Sequence, residues 1–433
     1  MRKFGTLSAW LTVGMGIKRW LLLLALGVVL VGFGITHAVL VFIGIHIVVN
    51  LSSLGEMIFS GVIIALGFSL IIISVVKLSH NILAPYRQNQ QGRVADRVYA
   101  HRTRQKGLKV VAIGGGTGLP SVLRGLKEYT SNITAVVTVA DDGGSSGRLR
   151  RDLGVLPPGD LRNNIAALAD DESLMTQLFQ YRFNGGDLGG HAFGNLFISA
   201  LAGVTGSIES ALIETERVLN ITGRVLPATL EDVHLSASVR VVGKTQPLNI
   251  VGESKITEAG GAIQEMRLTP SNVAAYNESV QAILDAGLVV IGPGSLFTSI
   301  LPNLLVKGIT EAIRASNAYV VYVCNVATQP GETDGFTVAD HVSALERHIG
   351  RGVIQAVLAN NAYPSTNAGI TNYVRPVPEH HDILKRYEVR YADLTDDQRP
   401  WRHDPQKLVT AILQLSQEER VGSSQPREVI TEN

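Results

Sequence analysis

The sequence contains one cysteine, Cys324, among 433 residues. A single cysteine excludes an internal disulfide and a metal cluster held by several thiolates, and it is typical of a reducing compartment. Charged residues are also scarce, at 17% of the chain, against about 25% in an average globular domain. The formal net charge is only +1. We therefore expect no nucleic-acid partner, because the chain offers no bulk electrostatic attraction to a phosphate backbone.

The shortage of charge is concentrated in the first eighty residues. Two apolar runs without Lys, Arg, Asp or Glu, 21–49 and 57–76, each supply the roughly 20 residues that a membrane-spanning helix needs. Lys and Arg flank their outer ends, whereas the polar turn between them carries only Glu56. The positive-inside rule then predicts a membrane hairpin with both termini and the main domain in the cytoplasm. A cleaved signal peptide fits less well, because its apolar core is only about 7–15 residues long.

Four regions follow from this pattern. We expect a transmembrane hairpin at 1–80, a juxtamembrane linker at 81–107, a ligand-binding domain at 108–415 and a disordered tail at 416–433. The cations of the linker could meet anionic lipid headgroups or could simply be solvated.

The large domain alternates short apolar runs with helical spacing. The runs at 133–139, 288–291, 319–323 and 353–358 predict strands of an α/β fold, with a Rossmann-like parallel sheet wrapped by helices on both faces. Short alternating runs between 218 and 257 predict a small antiparallel subdomain. Ligands of such parallel sheets bind beyond the carboxyl ends of the strands, so the residues after each strand are the candidates for function.

A glycine-rich turn follows the first strand, 109–113, and a helical pattern over 119–129 follows the turn. Glycines let backbone N–H groups approach an anion, and the next helix presents its positive end. The dinucleotide fingerprint is broken here, so a plain tight turn is the alternative. The candidate ligand-binding residues are Gly114, Gly115, Gly116, Thr117 and Gly118.

The second strand leads into two adjacent acids, Asp141 and Asp142. Carboxylates suit Mg²⁺ that also binds phosphate oxygens, while hydroxyls and a guanidinium suit the phosphate itself; a solvated loop is the alternative. The candidates for phosphate are Ser145, Ser146 and Arg148. Further along, Asp160 is either a helix N-cap or a third Mg²⁺ ligand beside these acids, with Gly159 and Asn163 next to it.

His191 and Asn195 are four residues apart and therefore share one helix face. They could position an acceptor oxygen, with His191 as acid, base or charge stabiliser. A structural histidine is the alternative. The catalytic candidates are thus Asp141, Asp142 and His191.

A second strand–glycine–helix pattern begins at residue 288 and repeats the first. Because two turns of the anion-binding type occur in one sheet, the prediction is stronger than for one turn alone. The candidates here are Gly294, Ser295 and Thr298, and after the next strand Asn325, Thr328 and Gln329.

Taken together, these motifs resemble the YvcK/CofD family, and within it the YvcK branch. The strings that carry the resemblance are 113–119 (IGGGTGL), 140–147 (ADDGGSSG), 157–163 (PPGDLRN), 190–195 (GHAFGN), 291–295 (IGPGS), 328–333 (TQPGET) and 402–405 (RHDP). The resemblance implies a bacterial domain that binds a nucleotide-sugar of the UDP-N-acetylglucosamine type, with a role in carbon metabolism, cell shape and envelope synthesis. The CofD branch transfers 2-phospho-L-lactate with Mg²⁺ held by aspartates, which by motif position are Asp141 and Asp142. The membrane hairpin lies outside the common soluble pattern of the family.

Three functions compete at this point. The first is a nucleotide-sugar-binding regulator, and the second is a Mg²⁺-dependent transferase of phosphorus-containing groups. The third, a dinucleotide-dependent oxidoreductase, is disfavoured by the broken glycine fingerprint. A homo-oligomer is compatible with all three.

Overall fold

The structure is a computed structural model, and it describes residues 17–44, 52–83, 107–169, 174–241, 243–365 and 372–424. The chain divides into two compact units, Met1–Arg97 and Val98–Asn433. We call them the N-terminal and the C-terminal unit.

The described part of the N-terminal unit consists of helices α1 (Ile17–Phe42) and α2 (Ser53–Leu83). Both are long and apolar enough to cross a membrane, by length and composition. The first helix was expected over 21–49, but it begins earlier and ends at Phe42; residues 45–51 lie outside the described residues. The helices pack closely through glycines, since a Cβ at Gly67 would lie 2.8 Å from the carbonyl oxygen of Gly27. Small residues serve the same purpose in membrane helix pairs.

One polar group of side chains is buried between α1 and α2. His37, Ser60 and Glu56 are each at most 2% exposed. His37 Nδ1 lies 2.8 Å from Ser60 Oγ, and its Nε2 lies 3.9 Å from Glu56 Oε2. The rings of Phe33 and Phe59 contact the imidazole. We call His37, Ser60 and Glu56 the hairpin cluster.

A seven-stranded sheet forms the centre of the described C-terminal unit. All of its strand pairs are parallel, and its order is β10-β9-β8-β7-β1-β2-β3. The strands are β1 (Val110–Gly114), β2 (Ile133–Val137), β3 (Arg224–Pro227), β7 (Leu288–Ile291), β8 (Tyr319–Val323), β9 (Ala356–Asn360) and β10 (Glu388–Ala392). Every residue of β1, β7 and β9 is buried, as expected for a parallel sheet covered on its faces.

Helices fill most of the connections. In chain order they are α3 (Leu119–Leu126), α4 (Gly144–Leu153), α5 (Gly159–Leu168), α6 (Leu174–Gln180), α7 (Phe193–Thr205), α8 (Ile208–Leu219), α9 (Glu253–Glu258), α10 (Asn277–Leu284), α11 (Leu301–Leu304), α12 (Ile309–Ala315), α13 (Val338–Ile349), α14 (Ile383–Arg386) and α15 (Pro405–Ser424). A π-helical turn, Leu296–Ile300, precedes α11.

The strand order reverses between β1 and β7. From β1 the chain builds outward through β2 and β3, and after β7 it builds outward in the opposite direction. Such a switch point leaves a crevice at the carboxyl ends of the two central strands, where open α/β sheets bind their ligands. The predicted fold class is thereby confirmed.

A second sheet of order β5-β4-β6 is antiparallel, as predicted. Its strands are β4 (His234–Arg240), β5 (Leu248–Val251) and β6 (Ala262–Thr269). The predicted limits, 218–257, were wrong. Residue 218 lies in the last turn of α8, β3 belongs to the large sheet, and after β5 the helix α9 stands where β structure was expected up to 257.

Two other boundaries differ from the expectation. The strand predicted at 353–358 begins at Ala356, because the apolar residues before it are buried in the preceding turn. The predicted disordered tail, 416–433, was wrong over its first part, since α15 continues to Ser424. Ser416 is buried there and Glu418 pairs with Arg390 of β10. Residues 425–433 and the predicted linker after Leu83, up to 106, lie outside the described residues.

Candidate functional site

The two glycine turns meet face to face at the switch point. A Cβ at Gly118, after β1, would lie 2.6 Å from the carbonyl oxygen of Pro293, after β7. Gly116 has a φ of +61° and turns toward Ser299. No larger residue fits Gly118 without pushing the turns apart, so the close approach of two backbones depends on glycine.

A cavity of about 310 Å³ opens between these turns. Its far wall comes from the segment after β8 and from residues before α15. The lining comprises Gly116, Thr117, Gly118, Ser121, Glu253, Pro293, Gly294, Ser295, Thr298, Ser299, Asn325, Val326, Ala327, Gln329, Glu332, Trp401, Arg402 and His403. The cavity is of the size and polarity that suits part of a small, phosphorylated ligand.

Side-chain hydrogen bonds fix the second turn. The Ser295 hydroxyl accepts from the Thr298 amide at 3.1 Å and bonds to the Glu332 carboxylate. Asn325 accepts from the Gly294 amide and donates to its carbonyl oxygen, at 3.1 and 2.8 Å. Burial raises the pKa of the Glu332 carboxyl above its ordinary value. The turn is therefore held in place without a ligand, as preorganised binding sites are.

Three carboxyl groups come together beside the first turn. Asp160 Oδ2 would lie 2.5 Å from a Cβ at Gly115, and Asp141 Oδ2 would lie 2.9 Å from one at Gly159. Burial, and then the charge of Asp141, raises the pKa of Asp160 to about 7. Burial raises the pKa of Asp141 as well. Burial, followed by the charges of Asp141 and Asp160, raises the pKa of Glu253 to about 9. We call Asp141, Asp160 and Glu253 the acid group.

Asp142 points elsewhere. Its Oδ1 accepts from the backbone amide of Ser254 at 3.1 Å and from the Ser254 hydroxyl at 3.0 Å. Gly252, with a φ of +108°, makes room for Asp142 Oδ2. Asp142 thus anchors the start of α9 and so holds Glu253 at the cavity.

The described residues contain no group of three or more His, Cys, Asp or Glu placed to hold a metal ion. Asp141 and Asp160 remain as a pair of neighbouring, partly buried carboxyls. Mg²⁺ is usually bound by one or two carboxylates together with waters and substrate phosphates, so these two residues fit it as ligands only with a phosphorylated partner. Asp160 is not the N-cap of α5, which is Pro158.

The comparisons with known proteins bear on the whole C-terminal unit. The family model described as 2-phospho-L-lactate transferase CofD matches residues 110–399. That range is more than half of the chain. The chain belongs to the CofD family.

Relatives within this family carry a common name. The gluconeogenesis factor of Bacillus subtilis (strain 168) is 51% identical over 317 residues, covering 72% of this chain and 91% of that protein. A protein of Nostoc sp., provisionally named as a gluconeogenesis factor, is 44% identical over 423 residues, covering 93% of this chain and 91% of its own length. The second match is too long for the C-terminal unit alone and extends into the N-terminal unit.

A solved structure supports the same fold. The crystal structure of a UPF0052-family protein from Bacillus halodurans superposes with a TM-score of 0.66 at 42% identity. It covers 71% of this chain and 99% of that one, so the CofD-family fold is complete in a protein of about this domain's length.

Within the CofD-family fold, His191 is held from both sides. Its Nδ1 lies 3.1 Å from Ser145 Oγ, and its Nε2 accepts from Arg148 Nε at 3.0 Å. Asn195 Nδ2 donates to the same Ser145 hydroxyl at 3.0 Å. Burial and the charge of Arg148 lower the pKa of His191. The four predicted residues, Ser145, Arg148, His191 and Asn195, do come together, and Arg148 also donates to the Gly189 carbonyl.

The predicted site residues thus form two neighbouring sets. One set lines the cavity and comprises Gly116, Thr117, Gly118, Gly294, Ser295, Thr298, Asn325 and Gln329. The other set surrounds Asp141, where Ser146 hydrogen-bonds to the carboxylate, and reaches the first turn through Asp160 and Gly115. Thr328 donates to the Asn372 carbonyl, and Asn163 accepts from Arg162, so neither is shown to face the cavity.

Sequence reasoning missed Glu253, Ser299 and Trp401. Glu253 follows a strand and a glycine, the same signal that identified the other turns, but the surrounding segment was interpreted as β structure. Trp401 is 43% exposed at the cavity and directly precedes a string that the family resemblance had included.

Proposed function

We propose that this protein is a nucleotide-sugar-binding regulator of the UDP-N-acetylglucosamine type, acting in carbon metabolism, cell shape and envelope synthesis. One observation carries the proposal: the turns at Gly118 and Gly294 meet at the switch point of the sheet and form one cavity. The name gluconeogenesis factor, borne by the Bacillus subtilis relative, supports the metabolic part.

The chemistry of the cavity suits a diphosphate with a ring on each side. Backbone N–H groups of glycine turns donate hydrogen bonds to phosphate oxygens at close range. The amide of Gln329 offers hydrogen bonds to a sugar or base, and Trp401 offers an aromatic face.

Isothermal titration calorimetry of the full-length protein in detergent tests this function. UDP-N-acetylglucosamine should bind with micromolar or tighter affinity, and UDP and GDP-sugars should bind more weakly. The ligand should be recovered unchanged after incubation. Heat changes with nicotinamide dinucleotides but none with UDP-sugars would contradict the proposal.

The second candidate is a Mg²⁺-dependent transferase of phosphorus-containing groups, related to 2-phospho-L-lactate transfer. The acid group favours it, because its partly buried carboxyls lie next to a phosphate-type turn. Asp141 and Asp160 would hold the ion, which would neutralise charge on the transferred group. A carboxylate that ligates the ion is not free to take the proton of an acceptor hydroxyl, so the base would be another group. His191 is less suited, since both ring nitrogens are engaged.

Turnover separates the two functions. Under the transferase hypothesis, Mg²⁺-dependent release of a nucleoside monophosphate from a diphosphate donor should be lost in Asp160→Asn. The exposed Asp285→Asn variant is the matched control, because Asp285 lies at the C-terminal end of α10 and does not line the cavity. Release that survives Asp160→Asn would exclude a role for this carboxyl in catalysis.

We also propose that α1 and α2 anchor the protein in the cell membrane, with the C-terminal unit in the cytoplasm. The apolar length of both helices and the flanking cations support this orientation. A cysteine introduced at Ser52 should react with a membrane-impermeant maleimide from the outer side of the membrane, whereas the buried Cys324 should not. Extraction of the protein by salt alone would rule out spanning helices.

A further inference from the structure

The segment before α15 forms one wall of the cavity and carries a buried histidine. Residues 401–403 line the cavity. The backbone of His403 forms an antiparallel bridge with Thr395, and the amide of Asp404 donates to the Leu394 carbonyl oxygen at 2.9 Å. The position of His403 in the wall is therefore fixed by the fold, without a contribution from a ligand.

A backbone carbonyl determines which ring nitrogen of His403 carries the hydrogen. Nε2 lies 3.2 Å from the carbonyl oxygen of Cys324, the residue that follows β8. Since a carbonyl oxygen can only accept a hydrogen bond, Nε2 must be the donor. In a neutral imidazole the other ring nitrogen then has a lone pair. Nδ1 of His403 is therefore a hydrogen-bond acceptor.

Burial keeps this imidazole neutral. His403 is 7% exposed. Burial lowers the pKa of its side chain to about 4, although the hydrogen bond to the Cys324 carbonyl opposes the shift. At neutral pH the ring therefore has no charge, and Nδ1 keeps its lone pair.

Nδ1 of His403 has no partner within the described part of the chain. It forms no hydrogen bond with the residues that the structure describes, but it is accessible to solvent, in contrast to the buried Nε2 of His341. A ligand that fills the cavity must offer a donor to this nitrogen or leave a polar atom unpaired. The second outcome costs affinity, because an acceptor that loses contact with water needs a new partner.

The lone pair distinguishes between the parts of a nucleotide-sugar. Phosphate oxygens are acceptors themselves and are repelled by it, so the diphosphate belongs at the turns of Gly118 and Gly294. Hydroxyl groups can donate or accept, whereas N–H groups only donate. The donors that fit are thus the N3–H of uracil and the N–H of an N-acetyl group. Trp401, in the same wall as His403, offers an aromatic face to the ring that carries the donor.

We propose that His403 accepts a hydrogen bond from an N–H group of the ligand through Nδ1, and that it thereby contributes to the choice of base or sugar. The inference deepens the proposed function, on which it rests for the identity of the ligand. It assigns His403 as a specificity-determining residue, in addition to its structural contact with Cys324.

Two substitutions separate the roles of the two ring nitrogens. In His403→Gln the side-chain amide can still donate to the Cys324 carbonyl, but no acceptor takes the place of Nδ1. In His403→Asn the side-chain oxygen can take the place of Nδ1, but the bond to Cys324 is lost. In calorimetric titrations of the full-length protein in detergent, His403→Gln should bind UDP-N-acetylglucosamine about tenfold more weakly than the wild type. His403→Asn should lose less affinity.

Thermal unfolding of the unliganded proteins should give the opposite order. His403→Asn should melt a few degrees below the wild type, because the Cys324 carbonyl loses its donor, whereas His403→Gln should melt close to the wild type. His234→Gln is the matched control, since His234 lies on β4 and does not line the cavity; its affinity should equal that of the wild type. If affinity instead fell in step with melting temperature, His403 would be a structural residue only.

Simpler ligands identify the N–H group that His403 meets. If it is the base, the wild type should bind UDP about tenfold more tightly than CDP, because N3 of cytosine carries no hydrogen, and His403→Gln should remove this difference. If it is the sugar, UDP should bind equally well to the wild type and to His403→Gln, and only the binding of UDP-N-acetylglucosamine should weaken. Either result supports the proposal.

The two proposals fail in different ways. Equal affinity of the wild type and His403→Gln for UDP-N-acetylglucosamine would overturn the role of His403 and leave the nucleotide-sugar site in place. A wild type that binds neither UDP nor UDP-N-acetylglucosamine would contradict the proposed function, and the role of His403 with it.

Discussion

The N-terminal and C-terminal units share two structural features: a close backbone approach at a glycine, and a carboxyl group removed from solvent. The two units differ in what these features are used for. In the hairpin, Gly67 brings two helices together, and Glu56 lies beside a histidine and a serine that form contacts with each other. In the C-terminal unit, Gly118 brings two turns together around a cavity, and Glu253 lies beside further acids. The hairpin cluster is closed on itself, whereas the acid group reaches the cavity through Glu253.

This difference indicates that the hairpin cluster serves helix packing and the acid group serves ligand binding. Buried polar groups with complementary partners hold elements in register, while buried groups of like charge weaken the unliganded fold and await a cation or a proton. Stability lost at the acid group is the kind of deficit found at functional sites. The comparison can be tested through substitutions that are the same in both units.

The largest effect is expected for Gly118→Ala. The new Cβ would meet the Pro293 carbonyl oxygen at 2.6 Å and the Gly294 Cα at 2.8 Å, both of them backbone atoms. Separation of the turns should cost about 3 kcal/mol of unfolding free energy and abolish UDP-sugar binding in calorimetry. Gly203→Ala, where a Cβ meets nothing within 4 Å in a helix, should stabilise slightly. Normal binding by Gly118→Ala would show that the turns do not form the site.

A smaller effect, of opposite sign in the two units, is expected for Glu→Gln. Glu253 has a folded-state pKa of about 9 against 4.5 for the free group. Between these values the folded state holds more protons than the unfolded one, so its stability falls as pH rises. Glu253→Gln should therefore stabilise the C-terminal unit by about 2 kcal/mol at pH 8 and change little at pH 4. Urea unfolding at pH 8 and at pH 4, followed by the fluorescence of Trp401, measures both changes in unfolding free energy.

The same Glu→Gln substitution in the hairpin should lower the stability of the hairpin. Glu56→Gln removes the carboxylate that lies 3.9 Å from Nε2 of the buried His37, and the hairpin should lose stability. Denaturation in mixed micelles, followed through Trp20 of α1, would report it. Equal signs for the two variants would remove the distinction between a closed and an open cluster.

The smallest effect concerns the glycines of α2. Gly67→Ala places a Cβ 2.7 Å from Val31 Cγ2 and 2.8 Å from the Gly27 carbonyl oxygen, whereas Gly61→Ala meets nothing within 4 Å. We expect Gly67→Ala to weaken the hairpin by about 1 kcal/mol and Gly61→Ala to leave it unchanged, in the same micelle assay. Indistinguishable variants would mean that α1 and α2 do not pack through Gly67.

The features that could be predicted from the sequence are those set by residues close together in the chain. Strand–glycine–helix patterns predicted both turns, because the turn residues follow the strand directly, and apolar length predicted α1 and α2. The partners of Asp141 and Asp142 were not predictable in this way. The two acids are adjacent, yet one faces Asp160 and the other Ser254, a choice set by how distant segments pack. Glu253 was missed for the same reason, since only the fold brings α9 to the first turn.

The contact between Asp142 and Ser254 has an evolutionary consequence. It joins a loop of the seven-stranded sheet to an inserted segment, between β3 and β7, that contributes a single acid to the cavity. Exchange of that insertion between relatives can therefore change the charge of the cavity while β1, β7 and their turns stay intact. Ligand preference can diverge on one framework by this route, without mutation of the framework itself.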